Sequence, residues 1–136
     1  MYTYWRRTVP PPTMMAFNAA ARETCVVRTD QTTTPLQALT MMNNVTFVEA
    51  ARCLAERVLQ GSRLSPRQRL HNAFRMVTSR APRPDELDRL QADLQYYQGH
   101  FRDNPKAATR LLAIGERRPD PAVNTNRLAA FTLVTN

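Results

Sequence analysis

The chain has 136 residues and a formal net charge of +8, a size sufficient for one domain with a buried core. No apolar run approaches the roughly 18 residues needed to cross a bilayer, and the first residues lack the apolar stretch of a secretory signal peptide. With only three glycines, hairpin turns and glycine-rich phosphate loops are nearly excluded.

The positive charge comes from 18 arginines and one lysine. The arginines are scattered from Arg6 to Arg127 without a dense block, a pattern more typical of solvated helix faces than of a nucleic-acid surface. The two cysteines, Cys25 and Cys53, fit neither a zinc-ligand spacing nor a haem attachment motif. A disulfide between them and two free thiols are both compatible with the sequence.

Residues 1–33 lack helical periodicity and are predicted to form an extended arm. Pro10, Pro11 and Pro12 favour a polyproline-like backbone. The segment is nevertheless rich in aromatic residues and methionines. We therefore expect it to lie against the helices or against a neighbouring domain rather than free in water.

Residues 34–136 are predicted to form an all-α, irregular bundle of about five to six short helices. A polar or charged residue followed by proline, which is typical of a helix N terminus, begins four of them. These four pairs are Thr34-Pro35, Ser65-Pro66, Arg83-Pro84 and Asn104-Pro105. One more helix is predicted at about 45–60, ended by Gly61, and a last one from near Thr125 to the final residues.

The helix at about 45–60 has a clear apolar stripe at helical spacing. Its members are Phe47, Val48, Ala51, Leu54, Ala55 and Val58. The charged residues Glu49, Arg52 and Glu56 fall on the other side of this helix, and the pattern predicts that they face solvent.

No catalytic or metal-binding constellation is recognisable, and none is predicted. His71 lies one helical turn from both Arg67 and Arg75, and cationic neighbours disfavour protonation and metal binding alike. His100 falls opposite the apolar seam of its helix and is expected to face solvent. We expect no cofactor within this chain.

The centre of the chain nevertheless carries specific motifs. Thr34-Pro35-Leu36-Gln37-Ala38-Leu39 is followed by an Asn43-Asn44 corner and then by Phe47-Val48-Glu49-Ala50-Ala51. Upstream are Tyr2-Thr3-Tyr4-Trp5, the triple proline and Arg22-Glu23-Thr24-Cys25. Together these motifs resemble the C-terminal domain of unknown function found in large exported proteins of planctomycetes and related bacteria. Asn18, Thr33, Asn44 and Val45 stand where that pattern has Asp, Asn, Asp and Pro.

This resemblance implies a multidomain parent protein, of which the present chain is expected to be a fragment. It also implies export to the periplasm or the extracellular space. Proteins of this kind commonly carry a c-type cytochrome domain, so haem is expected only in a separate domain of the parent. The expected function is a non-catalytic structural or interaction module that contacts other domains of the same parent protein, with no specific nucleic acid as a partner.

Two alternatives remain at the level of sequence. The first is a composite enzyme site completed by an upstream domain, with Arg22, Cys25, Gln37 and Asn43 as the candidate functional residues. The second is a basic binder of nucleic acid or another polyanion. Its candidate residues are Arg6, Arg7, Arg67, Arg69 and Arg75.

Overall fold

A computed structural model describes residues 9–20, 25, 27–28, 32–60 and 64–136. These residues form seven α-helices, and the described part of the chain contains no strand, which confirms the all-α prediction. The helices are α1 (Pro12–Ala16), α2 (Pro35–Asn43), α3 (Val45–Gln60), α4 (Pro66–Thr78), α5 (Pro84–Asp103), α6 (Pro105–Leu112) and α7 (Thr125–Thr135). The chain divides into two compact units, Met1–Asn44 and Val45–Asn136.

In the first unit α1 and α2 pack together, and Asn44 Nδ2 donates a hydrogen bond of 3.4 Å to Thr13 Oγ1. Helix α1 lies inside the segment predicted to be extended. It forms because Pro12 occupies its first position, where a proline loses no helical hydrogen bond. Asn18 follows with φ 55°, a left-handed conformation that asparagine tolerates better than most residues.

Proline also begins each helix from α4 to α6, as predicted. In α4 the Ser65 hydroxyl accepts the Gln68 N–H, and the Gln68 side chain accepts the Ser65 N–H. Thr34 and Gln37 form the same reciprocal pair at the start of α2. These capping boxes satisfy backbone N–H groups that have no partner inside the helix.

The core of the second unit is built around α7. Five consecutive residues of α7, Leu128–Thr132, are buried, so the helix is enclosed on all sides. It packs on α3, α5 and α6, and Thr135 Oγ1 donates to the carbonyl oxygen of Ala51 in α3. Ala129 and Ala130 are fully buried, and their small side chains allow the neighbouring helices to approach closely.

Candidate functional site

The most extensive polar cluster described in the second unit is a stripe along α3. Glu49, Arg52, Glu56 and Gln60 are separated by three, four and four positions, which places their side chains on one face of the helix. The connection between α6 and α7, residues 113–124 (the α6–α7 loop), runs over this face. Each member of the stripe bonds to that loop or to the end of α6.

Arg52 is the centre of this cluster and is only 1% exposed. Its Nη1 donates to the carbonyl oxygen of Leu112 at 2.7 Å, and its Nη2 donates to the carbonyl oxygen of Arg117 and to Glu49 Oε1 at 3.3 Å. The Leu112 carbonyl belongs to the last turn of α6, whose carbonyl oxygens have no partner inside the helix. Arg52 therefore caps α6 and holds the loop at the same time.

Glu49 binds the start of the loop. Its Oε1 accepts the N–H of Arg117 at 2.7 Å, and the N–H groups of Arg117 and Glu116 lower the pKa of this carboxyl, with smaller help from the charge of Arg52. Gly115 makes this approach possible. It has φ +98°, and a Cβ atom there would lie 2.5 Å from Glu49 Cδ, closer than any side chain allows.

Glu56 and Gln60 bind the middle of the loop. Glu56, 2% exposed, accepts the N–H of Asp120 at 3.3 Å, and its Oε2 lies 3.5 Å from Arg117 Nη2. Gln60 Nε2 donates to Asp120 Oδ2 at 2.6 Å. Asp120 Oδ1 accepts the N–H of Ala122. The pKa of Asp120 is lowered chiefly by this hydrogen bond and to a smaller extent by the one from Gln60.

These contacts hold the α6–α7 loop against α3. Within the described residues, Arg52 Nε and Glu56 Oε2 are buried and make no hydrogen bond, although Glu56 Oε2 is within ion-pairing distance of Arg117. In the described ranges, no three His, Cys, Asp or Glu side chains are placed to hold a metal ion. Each described helix is also too short or too polar to traverse a bilayer.

One family model matches more than half of the chain. The model of PSD1, a protein of unknown function (DUF1553), matches residues 1–94. The chain belongs to this family. The PSD1 match includes α1 to α4, the first half of α5 and therefore the whole polar stripe of α3, whereas the α6–α7 loop that the stripe binds lies beyond it. No curated protein matches the chain, and no solved structure does.

The prediction that Arg52 and Glu56 of this PSD1 domain face solvent is wrong. A charged stripe on an amphipathic helix normally faces water, but here the loop covers it. Their spacing on one face was visible in the sequence, as was the charge- and proline-rich loop. The contact between this stripe and the loop, across 64 and 65 positions, was not visible.

The four candidate residues of a composite enzyme site are described only in part. Arg22 lies outside the described residues, and Cys25 is an exposed free cysteine. The Gln37 side chain is committed to the cap of α2, and Asn43 Nδ2 donates to the Leu39 carbonyl oxygen at the other end of that helix. Local helix contacts thus engage both amides, while the joint role of the four residues stays a prediction.

Two of the candidate polyanion-binding arginines are engaged within the fold. Arg69 is buried and donates to the carbonyl oxygens of Val58 and Leu59 at 2.8 and 2.7 Å, where it caps the end of α3. Burial, and then the charge of Arg127, lowers its pKa. Arg67 pairs with Asp88 at 2.7 Å. Arg75 is exposed, and Arg6 and Arg7 lie outside the described residues.

A second charged cluster lies between α4 and α5. Arg80 Nη1 and Nη2 donate to the two carboxylate oxygens of Glu86 at 2.8 and 2.7 Å, and Glu86 also accepts the N–H of Arg83. The Arg80 guanidinium lies 4.7 Å from the centre of the Phe74 ring. The hydrogen bond from Arg80, followed by the Arg83 N–H, lowers the pKa of Glu86 to about 2. This cluster fixes the turn between the two helices.

Proposed function

We propose that this PSD1 domain is a non-catalytic interaction module whose first unit binds an apolar surface on another domain of its parent protein. The observation that carries this proposal is the inverted polarity of α2. Its buried residue is the polar Gln37, whereas Leu36, Leu39 and Met42 are 61%, 58% and 65% exposed. Those three residues recur every third position and therefore lie on one side of the helix.

An apolar helix face in water is costly unless a partner covers it, and contiguous patches of this kind mark interaction sites. Met15 and Phe17, which belong to the same unit, are also exposed. The polar stripe of α3 supports the non-catalytic part of the proposal, because its groups are occupied in binding the α6–α7 loop. We place the covering surface in the parent protein, an exported protein with a cytochrome domain that holds the haem.

Hydrogen exchange measured on the full-length parent and on this chain alone tests the proposal. We expect the amides of α2 to exchange more slowly in the parent, because a covered helix opens less often. A double variant, Leu36→Gln with Leu39→Gln, should remove that extra protection. Met76→Gln, an exposed apolar residue of α4, is the matched control and should leave it unchanged. Equal exchange of α2 in the parent and in the isolated chain would contradict the proposal.

A further inference from the structure

A cavity of about 550 Å³ lies in the second unit between α6, the α6–α7 loop and the start of α7. Its inner surface includes Leu112 and Leu128, which are buried core residues, so the cavity reaches the core. Pro119 and Val123 of the loop line it as well. The volume falls in the range of roughly 300–1,000 Å³ typical of small-molecule sites, which are also mostly apolar.

The loop that forms one wall of the cavity is held by α3. Arg117 is fixed through its N–H to Glu49 and through its carbonyl oxygen to Arg52, and Asp120 is fixed by Glu56 and Gln60. Because the loop is fixed at Arg117 and at Asp120, little of its conformational freedom remains to be lost when a ligand binds. The cost of binding is therefore reduced.

The four charged residues that line the cavity fall into two classes. Arg117 is committed to Glu56 and Cys53, and Asp120 is committed to Gln60 and Ala122. Glu116 and Arg118 are exposed, and within the described part of the chain neither side chain forms an ion pair. The cavity thus offers one free carboxylate and one free guanidinium beside an apolar floor.

We propose that this cavity binds a small zwitterion with an apolar side chain, such as a free aliphatic amino acid. The ligand carboxylate would lie on Arg118, whose planar guanidinium matches a carboxylate with two parallel hydrogen bonds. The ligand ammonium would lie on Glu116, and the apolar side chain would contact Leu112 and Leu128. A ligand of one charge sign would leave one of the two protein charges without a partner.

Titration of the whole chain with L-leucine, followed by amide NMR shifts, tests this proposal. We expect saturable shifts at Gly115, Val123 and Thr125, which line the cavity. 4-Methylpentanoate lacks the ammonium and 3-methylbutylamine lacks the carboxylate, and each should bind about tenfold more weakly because one charge-assisted contact is lost. L-Asparagine, of similar shape but with a polar side chain, should also bind more weakly. Equal affinity for leucine and for both single-charge analogues would overturn the proposal.

Charge exchange at the cavity separates the proposed contacts from a general effect of charge. Arg118→Glu and Glu116→Arg should each abolish the leucine shifts, and the double variant should restore them, because it carries the same pair of charges in exchanged positions. Arg110→Glu changes an exposed arginine of α6 outside the cavity and should leave leucine affinity unchanged. Two outcomes would show that the site does not exist: unaltered leucine affinity in Arg118→Glu, or no leucine-induced shift at the cavity amides of the unsubstituted chain.

Discussion

The guanidinium of Arg52 lies among two backbone carbonyl oxygens and one carboxylate, away from water. Arg52→Met keeps an unbranched chain in place of the aliphatic part of arginine but leaves the carbonyl groups of Leu112 and Arg117 without their donor. We expect it to lower the free energy of unfolding by about 3 kcal/mol, since breaking a buried charged contact strands its partners. Urea denaturation measures this change. Arg57→Met, at an exposed position of the same helix, should change stability by less than about 0.5 kcal/mol; similar losses in both variants would contradict the role given to Arg52.

Replacement by alanine should change stability in opposite directions at two glycines, Gly115 and Gly99. Gly115→Ala should destabilise the protein by about 1–3 kcal/mol, because its φ is +98° and the new Cβ would meet Glu49. Gly99→Ala, inside α5 with no atom within 4 Å of the new Cβ, should stabilise it by about 0.5–1 kcal/mol. Thermal unfolding of both variants checks these signs. In a Glu49→Ala background the cost of Gly115→Ala should fall without vanishing. The overlap with Glu49 Cδ and Oε2 is removed, whereas the 2.9 Å contact with Glu49 Cβ and the backbone strain remain.

At the level of the helices, the cap of α4 can be tested by itself. Ser65→Ala removes the hydroxyl that accepts the Gln68 N–H and should cost about 1 kcal/mol of stability. Ser65→Gly should cost only a few tenths of a kcal/mol, because glycine is itself tolerated at this position. Chemical denaturation of the two variants makes the comparison. If neither variant lost stability, the hydroxyl would not be the stabilising group.

The turn between α4 and α5 should make the free energy of unfolding depend on pH in the acidic range. The pKa of Glu86 is about 2 in the folded protein against an ordinary value of 4.5. As the pH falls, Glu86 is therefore protonated in the unfolded chain before it is protonated in the folded protein. The stabilisation is therefore complete above about pH 4.5 and is lost as the pH falls towards 2. Glu86→Gln keeps the capping contact to the Arg83 N–H but not the charge, and should flatten this part of the stability profile. An unchanged acid profile in that variant would show that the Arg80–Glu86 pair does not carry the effect.

The helices were readable from the sequence because their boundaries are set locally. Pro35, Pro66, Pro84 and Pro105 each mark a first helical turn, and α2 to α7 begin where these signals and the apolar spacing placed them. Helix α1 was missed because a triple proline favours extended backbone as well as a helix start. The polar site was missed for a different reason. The burial of Arg52 and Glu56 depends on loop residues 65 and 64 positions away, and no local pattern encodes those contacts.

Considered as a whole, the second unit has its own core. The residues of its buried cluster extend from Ala55 in α3 to Phe131 in α7, all within residues 45–136. We expect a chain of residues 45–136 to fold cooperatively, with helical circular dichroism and a single thermal transition. A shorter chain of residues 45–124 should fail to fold, because it lacks α7, the helix that fills the core. Loss of cooperative folding in the longer fragment would contradict the division of the chain at Asn44.

Arg52 also restricts the length of the chain between Leu112 and Arg117. One end of its guanidinium holds the carbonyl oxygen of Leu112 and the other holds that of Arg117, so the number of residues between these two positions is fixed by the width of one side chain. An insertion there would pull one carbonyl group off the arginine. An insertion after Ala122 follows the last hydrogen bond between the loop and α3, at Asp120, so it would leave those bonds in place at a small cost in chain entropy. Length variation in the α6–α7 loop should therefore be tolerated after Ala122 and not between Leu112 and Arg117.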